Sequence, residues 1–211
     1  MKIPSPCLCL DGAVRGRLHV GLLVNGAWVA QSESSADPAE AIQPCVEQVL
    51  RQAGITLSQI AAFAVNVGPG SVLGIRATIL SARAWGEIKS KPVLTWSNHL
   101  AAAWLARGTC DAVVSEGRAG NLNVQKVNDQ GPVGELHDSE AKALSQLELR
   151  PISGGFRHVS ELPMGEAVDV WSSLPKVFTD HDILKMSEHP DALNSATVYA
   201  MWSGQRHSSA Q

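Results

Sequence analysis

The segment Gly68-Pro69-Gly70-Ser71-Val72-Leu73-Gly74, with Arg76 after it, has the residue types best suited to chemistry. Free N–H groups at a helix start attract anions, and glycines let a ligand approach the backbone. The spacing departs from two common phosphate sites. No Gly-Lys-Ser/Thr follows, so this is not a P-loop, and the third glycine falls one residue late for the dinucleotide fingerprint. Taken alone, the segment is equally explained by a tight structural turn. Arg76 offers a rigid fork of donors, suited to an anion at the loop or to bracing the loop carbonyls. Asp11 ends the first apolar run. It could orient a metal–nucleotide complex, or it could be a strand-end carboxylate satisfied by nearby backbone N–H groups.

Other constellations are weaker. Asp180-His181-Asp182 with His189 invites a metal reading, but polar residues in a loop are more often solvated. No Gly-x-Ser-x-Gly elbow occurs. Ser71 sits in the glycine segment, but no base can be named for it. No catalytic set and no metal set is therefore assigned. Cys7, Cys9, Cys45 and Cys110 form no zinc pattern and read as thiols in a reducing compartment. The formal charge is −3, with no dense Lys/Arg block, so direct gripping of nucleic acid is not expected. Two prolines interrupt the start, and no stretch approaches the ~20 apolar residues of a membrane span. A cytoplasmic protein that does not engage membrane is expected.

The elements that must position these residues follow from periodicity. Pro6 to Leu10 and Leu18 to Val24 read as strands, and Asn25-Gly26 before Ala27-Trp28-Val29-Ala30 signals a hairpin. Asp37-Pro38-Ala39-Glu40 starts a helix, with Asp37 as cap and Pro38 in the first position. Ala39, Ile42, Val46, Val49 and Leu50 recur at helical spacing, Pro44 lies inside, and Gly54 stops the helix. Ile60 to Val67 reads as a buried strand. Ile75, Ile79, Ala82 and Trp85 mark the next helix. Pro92 to Trp96 is a strand, and Ser97 is the expected cap of a helix to Ala106. Strands are expected over Asp111 to Glu116 and Leu122 to Val127. Helices are expected over Asp138 to Leu149 and Ala192 to Trp202. The order β-β-β-α-β-α-β-α predicts a mixed sheet covered by helices.

Gly68, Pro69, Gly70, Ser71, Gly74 and Arg76 resemble the Gly-Pro-Gly-Ser-Phe-Thr-Gly-Val/Leu-Arg signature of the TsaB (YeaZ) family of tRNA threonylcarbamoyladenosine biosynthesis. Ile42 through Leu50, with Pro44, is similar to that family's Leu-Leu-Pro-x-Ile-x-x-Leu-Leu segment. Pro92-Val93 and Ser97 through Ala102 are similar to its Pro-Val … Ser-x-Leu-x-x-Leu-Ala segment. The resemblance covers about residues 7 to 127. It departs at Val72-Leu73, which replace Phe-Thr, and at Asp11 to Gly16, which lack the hydroxyls of a phosphate loop. Glu116-Gly117-Arg118 stands for the family's Asp-Ala-Arg.

The resemblance implies an actin-like (ribonuclease-H-like) α/β fold with two lobes, 1–106 and a reduced 107–211. It implies a non-catalytic scaffold pairing with a TsaD-type catalytic subunit, with a TsaE-type ATPase as third partner. It also allows a homodimer. tRNA would be reached only indirectly, and ATP only through partners. The weak anion- or nucleotide-binding set is Asp11, Gly68, Gly70, Ser71, Gly74 and Arg76. The expected interface is Ile42, Val46, Val49, Ile75, Ile79 and Trp85, on helices that also need a stripe against their own sheet. The alternatives are a small ATP-dependent kinase or transferase of the same fold, or a diverged free-standing homodimer.

Overall fold

The computed structural model describes residues 3–156, 162–180, 183–188 and 190–193. The chain begins with a meander of β1 (Cys7–Asp11), β2 (Leu18–Val24) and β3 (Ala27–Ser34). The β2–β3 turn is the Asn25-Gly26 pair, with φ of 51° and 79°. Both residues are suited to that region, as a two-residue hairpin of this hand requires.

Helix α1 (Pro38–Ala53) follows, capped by Asp37, whose carboxylate accepts the Ala39 N–H at 2.8 Å. Gly54 ends it at φ 67°. Pro44 lies within α1 on its exposed side and removes one backbone hydrogen bond, leaving the Glu40 carbonyl without its helical donor. Pro44→Ala restores that donor in a solvated position. The substitution is expected to stabilise the protein by about 1–2 kcal/mol, within the helix-propensity gap between the two residues. A thermal melt reads this as a higher Tm, and an unchanged or lower Tm contradicts it.

β4 (Ala62–Asn66), α2 (Val72–Lys89), β5 (Val93–Trp96) and α3 (Asn98–Ala106) complete the first half. Then come β6 (Ala112–Glu116), β7 (Asn121–Asn128), β8 (Gly131–Glu140), β9 (Leu149–Pro151), α4 (Val170–Asp180) and β10 (Lys185–Met186). The strands form a six-stranded mixed sheet in the order β10-β5-β4-β1-β2-β3 and a four-stranded mixed sheet in the order β8-β7-β6-β9. The second sheet begins at β6, yet β10 returns to the edge of the first by pairing with β5.

Side-chain alternation along β1 and β4 divides the core. Leu8, Leu10, Phe63 and Val65 face α1 and α2, where they meet Ile42, Val46, Val49, Ile75 and Ile79. Cys7, Cys9, Ala62 and Ala64 face the other way, with Ala101, Ala102 and Ala106 of α3 and Leu174 and Phe178 of α4. The alanine-rich α3 packs closely on β6, β7 and β8 of the second sheet. The Phe63 side chain is completely buried, which stabilises by about 2–3 kcal/mol. Trp96 meets Phe178 edge-on, with ring centroids 5.4 Å apart. All four cysteines are free; Cys7 and burial together push the Cys9 thiol well up.

Two expectations change. The segment from Asp138 is not helical: β8 runs on to Glu140, and only a short 3₁₀ turn, Ala141–Leu144, follows. Pairing of Asp138 with Asn123 across β7 and β8 overrides the local helical preference. Ser97 does not cap α3 through its side chain; its Oγ donates instead to the Gly68 carbonyl at 2.9 Å. The terminal helix expected from Ala192 lies outside the described residues, apart from Ala192 and Leu193, which are not helical. The sequence gives no expectation of helix α4 or of strands β8, β9 and β10.

Candidate functional site

The loop after β1 and the glycine loop after β4 lie side by side. The Ser71 N–H donates to the Ala13 carbonyl at 2.7 Å. A Cβ on Gly12 would strike the Gly74 carbonyl, one on Gly74 the Gly12 carbonyl, and one on Gly70 the Ala13 carbonyl. These three glycines are therefore needed for backbone-to-backbone packing, before any ligand is considered. Gly68 has φ 97°, and its N–H donates to Asn66 Oδ1 at 2.9 Å. The glycine loop is thus fixed from two sides, by Asn66 on β4 and by Ser97 before α3.

A cleft of about 650 Å³ opens over this junction. It is lined by Gly70, Ser71, Val72 and Gly74, by Ser115 and Asn123 of the second sheet, and by Gly117 and Arg118 of the β6–β7 turn. Arg15 and Arg118 are balanced by Asp37 and Glu116, so the lining has no dominant sign. The first helical bond of α2 joins the Ile75 N–H to the Ser71 carbonyl at 2.9 Å, so the N–H groups of Val72, Leu73 and Gly74 precede it. The Phe-Thr hydroxyl of the signature has no counterpart at Val72-Leu73.

The other sequence-selected residues lie elsewhere. Asp11 lines a second cleft of about 580 Å³, with His19, Glu33, Asp169 and Trp171. Its Oδ1 accepts the Ala13 N–H at 2.8 Å, so it makes the backbone contact expected of a strand-end carboxylate. Burial pushes its carboxyl up, opposed by the Ala13 N–H, the Asn66 amide and the His19 charge. His19 stacks on Trp171 with ring centroids 5.2 Å apart, and burial lowers its pKa. Arg76 is exposed on α2 and lines neither cleft.

Ile42, Val46, Val49, Ile75 and Ile79 are all buried in the chain's own core. Trp85 is half-buried, its ring 5.8 Å from that of Phe63. These apolar faces are taken up by the sheet, because i, i+4, i+7 residues share one side of a helix. A different stripe faces solvent: Leu73, Leu80 and Ile88 of α2 are 66%, 64% and 73% exposed. Ala77 and Ala84 fall on the same side. His181, Asp182 and His189 of the proposed metal loop lie outside the described residues, and Asp180 ends α4. Among the described residues, no group of three or more His, Cys, Asp or Glu is placed to hold a metal ion.

Sequence reasoning missed a buried polar chain. His99, the second residue of α3, has its Nδ1 3.1 Å from Asn98 Oδ1 and its Nε2 3.1 Å from Ser115 Oγ on β6. Asn123 of β7 donates its amide to the same Ser115 Oγ at 3.2 Å and to the Glu116 carbonyl at 3.0 Å. His99 is fully buried, which lowers its pKa to about 3. The residues lie 16 positions apart on different elements, so no spacing rule joins them.

A family model described as TsaD, tRNA N6-adenosine threonylcarbamoyltransferase, matches residues 31–149. The chain is 29% identical over 118 residues to a tRNA N6-adenosine threonylcarbamoyltransferase of Streptococcus pneumoniae, covering 52% of this chain and 35% of that protein. It is 30% identical over 119 residues to the protein of the same name from Sphingopyxis alaskensis, covering 49% and 35%. The chain thus spans about a third of the length of the curated relatives it matches. Among solved structures it is similar to YeaZ from Pseudomonas aeruginosa, with TM-score 0.62, 18% identity, and 89% of this chain and 98% of that chain covered. It is also similar to an uncharacterized protein with similarity to peptidase YeaZ from Pseudomonas aeruginosa, with TM-score 0.64, 17% identity, and 90% and 99% covered. At that identity the structural likeness concerns the fold, an actin-like α/β architecture of two mixed sheets with helices. With more than half of its residues matched by the family model, this chain belongs to the TsaD family, whose setting is tRNA modification, and it has the TsaB-like, actin-like form.

Proposed function

We propose that this chain is a non-catalytic scaffold subunit in threonylcarbamoyladenosine modification of tRNA, pairing with a TsaD-type catalytic protein through helix α2. The observation that carries this reading is the exposed stripe of Leu73, Leu80 and Ile88, flanked by Ala77 and Ala84. Together with the two alanines they make one apolar side of the helix, the kind of surface that marks an interaction site. Helix α1 lies beside α2 and presents Gln43, Glu47 and Arg51 to solvent. An apolar centre with a polar border is the usual anatomy of a protein interface. The balanced charge of the cleft argues in the same direction, since a chain that held tRNA alone would need a basic face. In this reading tRNA and ATP are met through partners, a TsaE-type ATPase among them, in the cytoplasm. No described helix is long and apolar enough to cross a membrane.

The test is made in the host. Removing this chain is expected to lower threonylcarbamoyladenosine in total tRNA, measured by mass spectrometry of nucleosides. Wild-type protein restores it, and Leu80→Glu does not, although Leu80→Glu leaves the core untouched and folds. Full restoration by Leu80→Glu would remove α2 from the account.

A further inference from the structure

Arg76 lines neither cleft, and Arg83, seven residues further along α2, is exposed as well. Seven residues make almost two turns. The two side chains therefore share one flank of the helix, within about 20° of each other and about 10 Å apart along its axis. Each follows a leucine of the exposed stripe by three residues, Leu73 before Arg76 and Leu80 before Arg83. Exposed Glu87 comes one turn after Arg83 on the same flank. The other flank, Ala77, Ser81 and Ile88, carries no charge. Neither guanidinium is engaged within the chain. Among the described residues no carboxylate lies within 4.0 Å of either, although the neighbouring α1 carries Glu40 and Glu47. Glu47 takes the Gln43 amide instead, at 2.7 Å. Nor does the helix need them. Both precede its last turn, where a cation is favoured, and Arg before Glu is the weaker order for a pair one turn apart.

We propose that Arg76 and Arg83 pair with carboxylates of the protein that docks on α2 and set its orientation there, an inference that rests on the pairing reading above. An interface centred on the leucines brings the partner over both guanidinium groups, whose planar forks match carboxylates. The charge order along the flank is plus, plus, minus. The partner's facing edge is therefore acidic opposite Arg76 and Arg83 and basic opposite Glu87. With the other flank neutral, only one direction of docking satisfies this order. Charges at the border of an interface steer the encounter and reject the reversed pose more than they add affinity. Two arginines are too few to hold a nucleic acid, and the chain as a whole has a formal charge of −3.

The test measures binding of the whole chain to the TsaD-type protein of the same organism by surface plasmon resonance, at low and high NaCl. The wild type is expected to associate more slowly as salt rises. Arg76→Glu with Arg83→Glu should weaken binding by about tenfold or more, mainly in the association rate, because like charges then face one another. Arg76→Gln with Arg83→Gln should lose less and flatten the salt dependence. Lys126→Glu with Lys142→Glu makes the same change of net charge at exposed positions away from α1 and α2, and should bind nearly as the wild type does. Both arginines are exposed and unpaired, so their variants fold, which circular dichroism checks. Unchanged affinity in the charge-reversed variant overturns the proposal and leaves the scaffold reading standing. An equal loss in the lysine control also overturns it, since net charge alone would then be at work. Absence of wild-type binding overturns both.

Discussion

Gly74→Ala is expected to destabilise the protein by about 3 kcal/mol, the upper part of the range for overpacking a site that cannot yield. Gly74 does not have positive φ, so its requirement is space rather than conformation. The added methyl would meet the Gly12 carbonyl, and Gly12 is itself pressed against Gly74. Neither loop can retreat easily. The Ser71 N–H holds Ala13 at 2.7 Å, and the Ala13 N–H holds Asp11 at 2.8 Å. Gly16→Ala supplies the contrast, because Gly16 has φ 68° and nothing within 4 Å of a Cβ. That variant bears only the left-handed conformational cost, about 1–2 kcal/mol. Urea melts of both variants read the difference. A Gly74→Ala variant as stable as the wild type would mean that the two loops are not locked together.

The second large effect is acid sensitivity from His99. Its folded pKa of about 3 lies well below the ordinary histidine value, because burial disfavours the charged ring. Above the unfolded value both states are neutral, and the network contributes fully. As pH falls below ~6.5, the unfolded chain takes a proton that the folded chain refuses, so stability is lost at about 1.4 kcal/mol per pH unit. The loss is about 2 kcal/mol by pH 5, and it levels off only once the folded ring itself titrates. Asp11 acts with the opposite sign. Its carboxyl is raised by burial, so its penalty is present at neutral pH and relieved on acidification. Comparing wild type with His99→Gln isolates the histidine. Urea midpoints at pH 7.5 and pH 5 should separate clearly in the wild type and much less in the variant. Equal pH dependence in the two proteins would show that His99 is not the source.

Much of the first half was legible because each signal there has a local cause. Asp37 and Gly54 mark both ends of α1 by chemistry that operates within one turn, and Asn25-Gly26 fixes a hairpin by φ alone. The second half offered fewer such signals. Strand β8 is mostly half-exposed, so it shows no clean alternation, and its last residues lead into a run rich in Glu, Ala, Lys and Leu. Only pairing with β7 makes it a strand. Helix α4 contains Pro175, which conceals its period.

The site was legible in part for a similar reason. Periodicity shows that α2 has apolar residues, but two stripes satisfy the same spacing. Ile75, Ile79 and Ala82 face the sheet, while Leu73, Leu80 and Ile88 face solvent. Which stripe goes inward is decided by where the glycine loop launches the helix, a tertiary fact. The glycines themselves were recognised, but their partner, the loop at Gly12 and Ala13, is distant in sequence. The His99–Ser115 contact spans α3 and β6 and had no sequence signature at all.

The most direct test of the central claim is to mix the purified chain with the TsaD-type protein of the same organism and measure the mass by size exclusion with light scattering. The account predicts a 1:1 complex for the wild type, retained by a conservative change such as Leu80→Met and lost with Leu80→Glu. Separate elution of the two wild-type proteins, with and without nucleotide, would contradict it.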